Sequence, residues 1–211
     1  MTDELLAEQL RYYRLRAGEY DATAYGDAAA AAERIDRLVD RMRPTGDVLE
    51  LACGTGMWTP ALARHARSLT AVDAAPETIE IARRRPGVDA VRFQVADIFE
   101  FSSPTRFDTV FFSAWLSHVP NERVPQFWQL LRGLLVDGGR VLFVDEHTDE
   151  RPKESYAGNE QIAERQLGDG SRFRIVKNFI DPQALTSCLA ELGWRCVIER
   201  DGNDWVVGEA H

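Results

Sequence analysis

Apolar residues recur at helical spacing over residues 4–15, and again from about Ala28 through Ile35, Leu38 and Val39 to Met42. The cluster Pro44, Thr45, Gly46 stops the second helix. Beyond it the pattern changes to short, mostly apolar runs at residues 47–52, 69–72, 91–96, 107–113 and 140–145, which read as strands. Helical segments separate them at 58–66, 76–84 and 122–136, the first two with a proline at or near the start. Strands alternating with helices require a parallel sheet flanked by helices, so the fold class is α/β. Residues 161–167 and 171–177 then flank Gly168, Asp169 and Gly170, which predicts a two-stranded flap. Asp181 caps a helix running from Pro182 to Gly193, and strands at 194–199 and 204–208 around Asp201, Gly202 and Asn203 close the sheet with an antiparallel edge.

Composition narrows the function classes. The chain has 211 residues, 45% hydrophobic and 28% charged, enough for one domain with elaborations. Its 34 acidic and 25 basic side chains give a formal charge of -9 and a pI near 5.0, the wrong sign for gripping a polyanion, so nucleic acid is not an expected partner. Three cysteines, Cys53, Cys188 and Cys196, show neither CxxC nor Cys/His ligand spacing, which points to a reducing compartment and no metal. The first residues lack the basic flank of a signal peptide, and no apolar run reaches the roughly 18 residues of a membrane span. A cytoplasmic protein without a membrane partner is the expectation.

The segment 48–59 runs an apolar strand into a glycine turn and then a helix, a geometry in which Gly54 and Gly56 let backbone approach a ligand closely. A dinucleotide site needs a third glycine where Thr59 stands. Glu50, at the end of the first strand, would repel a diphosphate but suit a nucleoside carrying an ammonium and a sulfonium. Asp73 ends the second strand, where a carboxylate can accept both ribose hydroxyls, and Asp97 with Ile98 ends the third, placing an acceptor and an apolar face for adenine. Singly, the glycines read equally well as a tight turn and the acids as helix caps; three carboxylates at three successive strand ends point to one site.

The run Glu50-Leu51-Ala52-Cys53-Gly54-Thr55-Gly56 resembles the glycine-rich motif of class I S-adenosylmethionine-dependent methyltransferases. The likeness extends to Asp73, to Ala96-Asp97-Ile98 and to residues 108–113. It implies a Rossmann-like, seven-stranded, mostly parallel sheet with helices on both faces and the last strand antiparallel. It also implies S-adenosylmethionine across the strand ends, with Ala52, Ala74 and Ser113 joining the cofactor site, and methyl transfer without a metal. Residues 12–21 are similar to the lid of small-molecule members, so the expected layout is one methyltransferase domain: a helical lid (1–43), a cofactor-binding core (44–150), a hairpin flap inserted after the fifth strand (151–180), and a terminal helix with the antiparallel edge (181–211).

Members acting on adenine or glutamine carry Asn/Asp-Pro-Pro-aromatic after the fourth strand, and here Ser113-Ala114-Trp115-Leu116-Ser117-His118 stands instead. The expected partner is a small-molecule methyl acceptor, taken at O or N, by a monomer or homodimer. His118, past the fourth strand, and His147, past the fifth, are the candidate general bases, since an unperturbed imidazole titrates near neutrality; either also reads as a turn-fixing histidine. Tyr13 and Tyr20, from the group Tyr12, Tyr13, Tyr20 and Tyr25, supply rings to cover the sulfonium and hydroxyls, with Arg16, for the cofactor carboxylate. Trp115 and His118 are the expected acceptor-pocket walls, Trp58 reads as wall or core, and Cys53 as small filler. Two other readings are a non-catalytic cofactor-binding domain and a nicotinamide-dependent reductase, the latter opposed by Thr59, Glu50 and the absence of a Tyr-x-x-x-Lys pair.

Overall fold

The computed structural model describes residues 3–156 and 160–211. Three helices come first: α1 (Asp3–Arg16), α2 (Tyr20–Tyr25) and α3 (Ala28–Met42). The Asp27 side chain accepts from the amides of Ala29 and Ala30 and starts α3, and Arg43 in the left-handed region (φ 49) ends it. The core then alternates: β1 (Asp47–Leu51), α4 (Thr59–His65), β2 (Ser68–Asp73), α5 (Pro76–Ala82), β3 (Arg92–Val95), β4 (Phe107–Ser113), α6 (Val124–Leu134) and β5 (Leu135–Glu146). A hairpin, β6 (Ile162–Gln166) and β7 (Arg172–Val176), precedes α7 (Pro182–Glu191), β8 (Cys196–Asp201) and β9 (Trp205–Ala210).

Seven strands form one sheet in the order β3-β2-β1-β4-β5-β9-β8, and the hairpin stands apart as its own two-stranded sheet. β1 pairs in parallel with β2 and β4, and β5 in parallel with β4, while β9 is antiparallel to both neighbours. The topology is therefore the seven-stranded, mostly parallel one implied by the glycine motif. Two elements depart from the expected bounds. β5 follows α6 directly and begins at Leu135 instead of residue 140, with a register shift against β4 between Phe107 and Thr109. The last strand pair starts late because Trp194 is a buried core residue packed on Trp128, ring centroids 5.2 Å apart, ahead of the first paired residue Cys196.

Both sheet faces are covered. Leu49, Leu51, Val110, Phe112 and Phe143 pack under α6 and α7 with Phe127, Trp128 and Leu189, whereas Val48, Phe111, Leu142 and Val144 pack under α3 and α4 with Ile35, Leu38, Val39 and Leu62. The alternation Val110, Phe111, Phe112 along β4 sends successive side chains to opposite cores, as strand geometry requires. A third cluster joins α1 to the hairpin through Tyr12, Ala163, Leu167, Phe173 and Ile175. Gln9 of α1 ties that assembly to the sheet end: its amide donates to the His118 carbonyl (3.2 Å) and its oxygen accepts from the Val176 amide (2.8 Å). Among the described residues no helix is long and apolar enough to cross a membrane.

Candidate active site

At the C-terminal ends of β1 to β4 the chain turns away from the sheet and leaves a hollow, the usual binding position in an open α/β sheet. After β1, Ala52 and Gly54 take positive φ (53 and 54), and the amide of Cys53 still bonds the Val72 carbonyl (3.0 Å). Space where a Gly54 side chain would stand is open, so its backbone faces the hollow. Gly56 serves packing instead. At φ 77, a side chain there would meet the Ala82 Cβ at 2.8 Å, so its absence lets α5 close on the turn.

The Asp73 carboxylate pins the turn: Oδ2 accepts from the Gly54 amide (2.8 Å), and Oδ1 from the Ala75 amide (2.8 Å) and the Thr78 hydroxyl (3.1 Å). Burial raises its pKa, against the hydrogen bonds that lower it. Asp97 is exposed and caps its own turn, accepting from the Phe99 amide (2.8 Å), while Ile98 is buried beside it. With α1 as roof these strand ends enclose a cavity of about 530 Å³. Tyr13, Tyr20, Ala52, Gly54, Asp73, Ala74, Asp97, Ile98, Ser113, Trp115 and His118 all line it.

The polar wall of the cavity has a defined protonation pattern. His118 Nδ1 lies 2.7 Å from the Val176 carbonyl oxygen and must donate to it, so Nε2 accepts from the Tyr13 hydroxyl at 2.8 Å. Burial, then the Lys177 charge, holds the imidazole well below its ordinary 6.5, and the ring is neutral at physiological pH. Burial likewise pushes Tyr20 up to about 12 and Tyr13 well above 10, so both remain phenols. Trp115 packs between Phe99 and Phe127, at 6.4 and 6.3 Å, and its indole nitrogen is buried without a partner.

Three expected positions lie elsewhere. Glu50 does not reach the cavity: it is 1% exposed and accepts from the Thr59 hydroxyl (2.7 Å), and burial raises its pKa to about 8. The residue replacing the third glycine thus folds back to satisfy the strand-end acid, which is protonated near neutrality and brings no charge to a ligand. His147 lines no described cavity; its Nδ1 accepts from the Asp149 amide (3.1 Å) and caps a short 3-10 helix. Gly56 sits behind the turn, as described. Cys53 is buried filler, and Tyr12 belongs to the α1–hairpin core. Arg16 bonds Thr23 and stacks on Tyr20 (4.7 Å) instead of lining the cavity.

Sequence reading missed two features. The first is a brace from α2 to the glycine turn: the Thr55 hydroxyl donates to Asp21 (2.6 Å), and Arg85 bonds both Asp21 and the Thr55 carbonyl. Asp21 lies inside the lid-like segment 12–21, so a signal was present. The second is another cavity, about 320 Å³, which shares Tyr20, Ser113 and Ala114 with the first and holds Trp58 in its wall. Among the described residues no group of His, Cys, Asp and Glu is placed to hold a metal ion.

This sheet order with β9 alone reversed, and a glycine turn and strand-end acids around a nucleoside-sized hollow, define a class I methyltransferase. Residues 48–139 match the family described as methyltransferase domain. Ubiquinone biosynthesis O-methyltransferase of Xanthomonas euvesicatoria pv. vesicatoria is 31% identical over 169 residues, 76% of this chain and 67% of that protein. Nodulation protein S of Rhizobium tropici is 34% identical over 103 residues, and the match spans 47% of this chain and 43% of that protein. The solved complex of DhpI with SAH is 39% identical, covers 100% of this chain and 98% of its own, and superposes with a TM-score of 0.85. A DhpI-SAM-HEP complex gives 40% identity, 100% and 99% coverage, and 0.86. The chain belongs to the S-adenosylmethionine-dependent methyltransferase family, and S-adenosylmethionine is its cofactor.

The cavity fits that cofactor: Asp73 has lone pairs free beyond its three donors, Gly54 offers bare backbone, and Ile98 offers an apolar face.

Proposed function

We propose that the chain transfers a methyl group to an oxygen atom of a small-molecule acceptor by in-line displacement. One observation carries the reading: Asp73, Gly54 and Ile98 on the strand ends share one cavity with Tyr13, Tyr20 and a neutral His118. When bound, S-adenosylmethionine supplies an electrophilic methyl on a positively charged sulfur. Asp73 accepts the ribose hydroxyls, Asp97 and Ile98 hold the adenine, and Ala52, Ala74 and Ser113 contribute the remaining walls. The aromatic faces of Tyr13 and Tyr20 stabilise the positive charge. The described residues of the segment 1–43 act as a lid over the core 44–150, and those of the hairpin region 151–180 hold that lid; residues 1, 2 and 157–159 lie outside the described residues.

Holding donor and acceptor in line contributes on the order of 7 to 11 kcal/mol to such a reaction, so orientation outweighs any acid–base term. The proton of an acceptor hydroxyl passes to the Tyr13 hydroxyl as Tyr13 gives its own to His118 Nε2. Burial, and then the Lys177 charge, makes His118 a weak base, which suits an acceptor with an acidic hydroxyl. Transfer to oxygen is supported by the ubiquinone-pathway relative, an O-methyltransferase. The test is incubation with methyl-tritiated S-adenosylmethionine and a panel of phenols and amines. Label should appear in an ether and be suppressed by S-adenosylhomocysteine; label recovered only in amines, or in no product, overturns the proposal.

A further inference from the structure

We infer that Asp21 and Arg85 are positioning residues for the cofactor: through Thr55 they hold the segment that carries Tyr20 against the turn that carries Gly54. The inference rests on the placing of S-adenosylmethionine in the 530 Å³ cavity and deepens it. Tyr20 and Gly54 both line that cavity, whereas Asp21, Thr55 and Arg85 line neither cavity. The three stand one step behind the walls. Asp21 follows Tyr20 in α2, and Thr55 follows Gly54 in the turn after β1.

The brace closes on itself. The Thr55 hydroxyl donates to Asp21 Oδ1 (2.6 Å), Arg85 Nε donates to the Thr55 carbonyl (2.6 Å), and the far end of the same guanidinium is paired with Asp21 Oδ2. Thr55 is buried, and the Arg85 and Asp21 side chains are 21% and 34% exposed, so the pair is partly shielded from the solvent that weakens surface ion pairs. The helix α2 depends on it, because none of its six residues is buried: Tyr25 packs partly on the α3–α4 core at one end, and Asp21 ties the other end, beside Tyr20. The Thr23 hydroxyl bonds Arg16 and the Glu19 and Tyr20 carbonyls, so its contacts stay inside the lid segment. Arg14 of α1 also reaches the core, on Glu77 of α5, but those side chains are 48% and 43% exposed and such a pair contributes little. A wall already fixed before the ligand arrives needs no ordering on binding, so releasing the Tyr20 end of α2 weakens binding without removing any cofactor contact.

Asp21→Ala tests this with S-adenosylhomocysteine as the probe, read by titration calorimetry well below the unfolding temperature of each variant. The dissociation constant should rise about tenfold. Asp21→Asn, which can accept from Arg85 through its oxygen and donate to the Thr55 hydroxyl through its amide, should restore most of the lost affinity. Amide hydrogen exchange across residues 20–25 of the ligand-free chain should be faster in Asp21→Ala. Arg14→Ala, which removes the exposed tie to Glu77, should bind within about twofold of the unaltered chain. A merely structural role lowers Tm in Asp21→Ala and leaves the dissociation constant of the folded chain unchanged. That result, equal weakening in Arg14→Ala, or no recovery in Asp21→Asn overturns the inference. Asp73→Asn separates the two failures: if it weakens binding while Asp21→Ala does not, only the role of the brace falls, and if neither weakens it, the placing of the cofactor falls as well.

Discussion

Asp73→Asn is the sharpest perturbation of the cofactor site, because it preserves volume and removes one acceptor. The native carboxylate accepts from the Gly54 amide, the Ala75 amide and the Thr78 hydroxyl. An amide can keep the Ala75 and Thr78 bonds through its oxygen, but its NH2 then faces the Gly54 N–H, donor against donor. Leaving that buried donor unsatisfied costs about 1–3 kcal/mol of folding stability, or roughly 2–12 °C in Tm at about 2–4 °C per kcal/mol for a chain of this size. A ribose hydroxyl on the same oxygen loses a charge-assisted bond of about 1.5–3 kcal/mol, which weakens S-adenosylhomocysteine binding by roughly 10- to 150-fold. Titration calorimetry at pH 7 reads the affinity and scanning calorimetry the stability. A dissociation constant within about twofold of the unaltered chain would refute the ribose assignment, whatever the Tm.

Three other substitutions give distinct outcomes. Glu50 has a folded pKa of about 8 against an ordinary value of 4.5, so the folded chain binds the extra proton; stability is greatest at low pH and falls as pH rises from about 4.5 through 8, at about 1.4 kcal/mol per unit of pKa difference. Glu50→Gln, which keeps the Thr59 bond, should flatten that fall in chemical-denaturation curves between pH 5 and 9, and an unchanged slope would count against a buried protonated acid. Because burial holds His118 below 6.5, turnover should stay level as pH drops from 8 to about 6.5; His118→Gln should lower kcat by about 10²- to 10⁴-fold while sparing cofactor affinity, and unaltered kcat removes it from the proton path. His147→Ala should lose only its cap, about 0.5–2 kcal/mol in thermal unfolding, with kcat within about twofold; a large fall in kcat would return His147 to the site.

The succession of strands and helices along the chain was legible because most strands are short apolar runs next to a proline-started helix or a glycine turn, signals contained within a few residues. The bounds slipped where distant packing decides: Trp194 reads as strand until Trp128 is seen to hold it in the core, and β5 extends back to Leu135 because Leu135 pairs with Phe107 beyond a register shift that takes up the glycines Gly138 and Gly139. Around the site, Asp73, Asp97, Ile98 and Gly54 follow from strand ends and needed no long-range information. Glu50 did, since its environment turns on a hydroxyl nine residues away folding back beneath the turn. His118 and His147 look alike as residues just past strands; what separates them is that β7 and α1 deliver Val176 and Tyr13 to one and not to the other. The smaller cavity is assembled from α2, α3, β5 and the start of β9, and no local pattern announces that meeting.

The most direct test of the account is a crystal structure of the chain with S-adenosylhomocysteine. The nucleoside should lie in the 530 Å³ cavity with its ribose hydroxyls on Asp73, its adenine against Ile98 and its sulfur turned to the wall formed by Tyr20, Ser113 and Ala114. Nucleoside density away from the ends of β1 to β3, or none at saturating ligand, would contradict it.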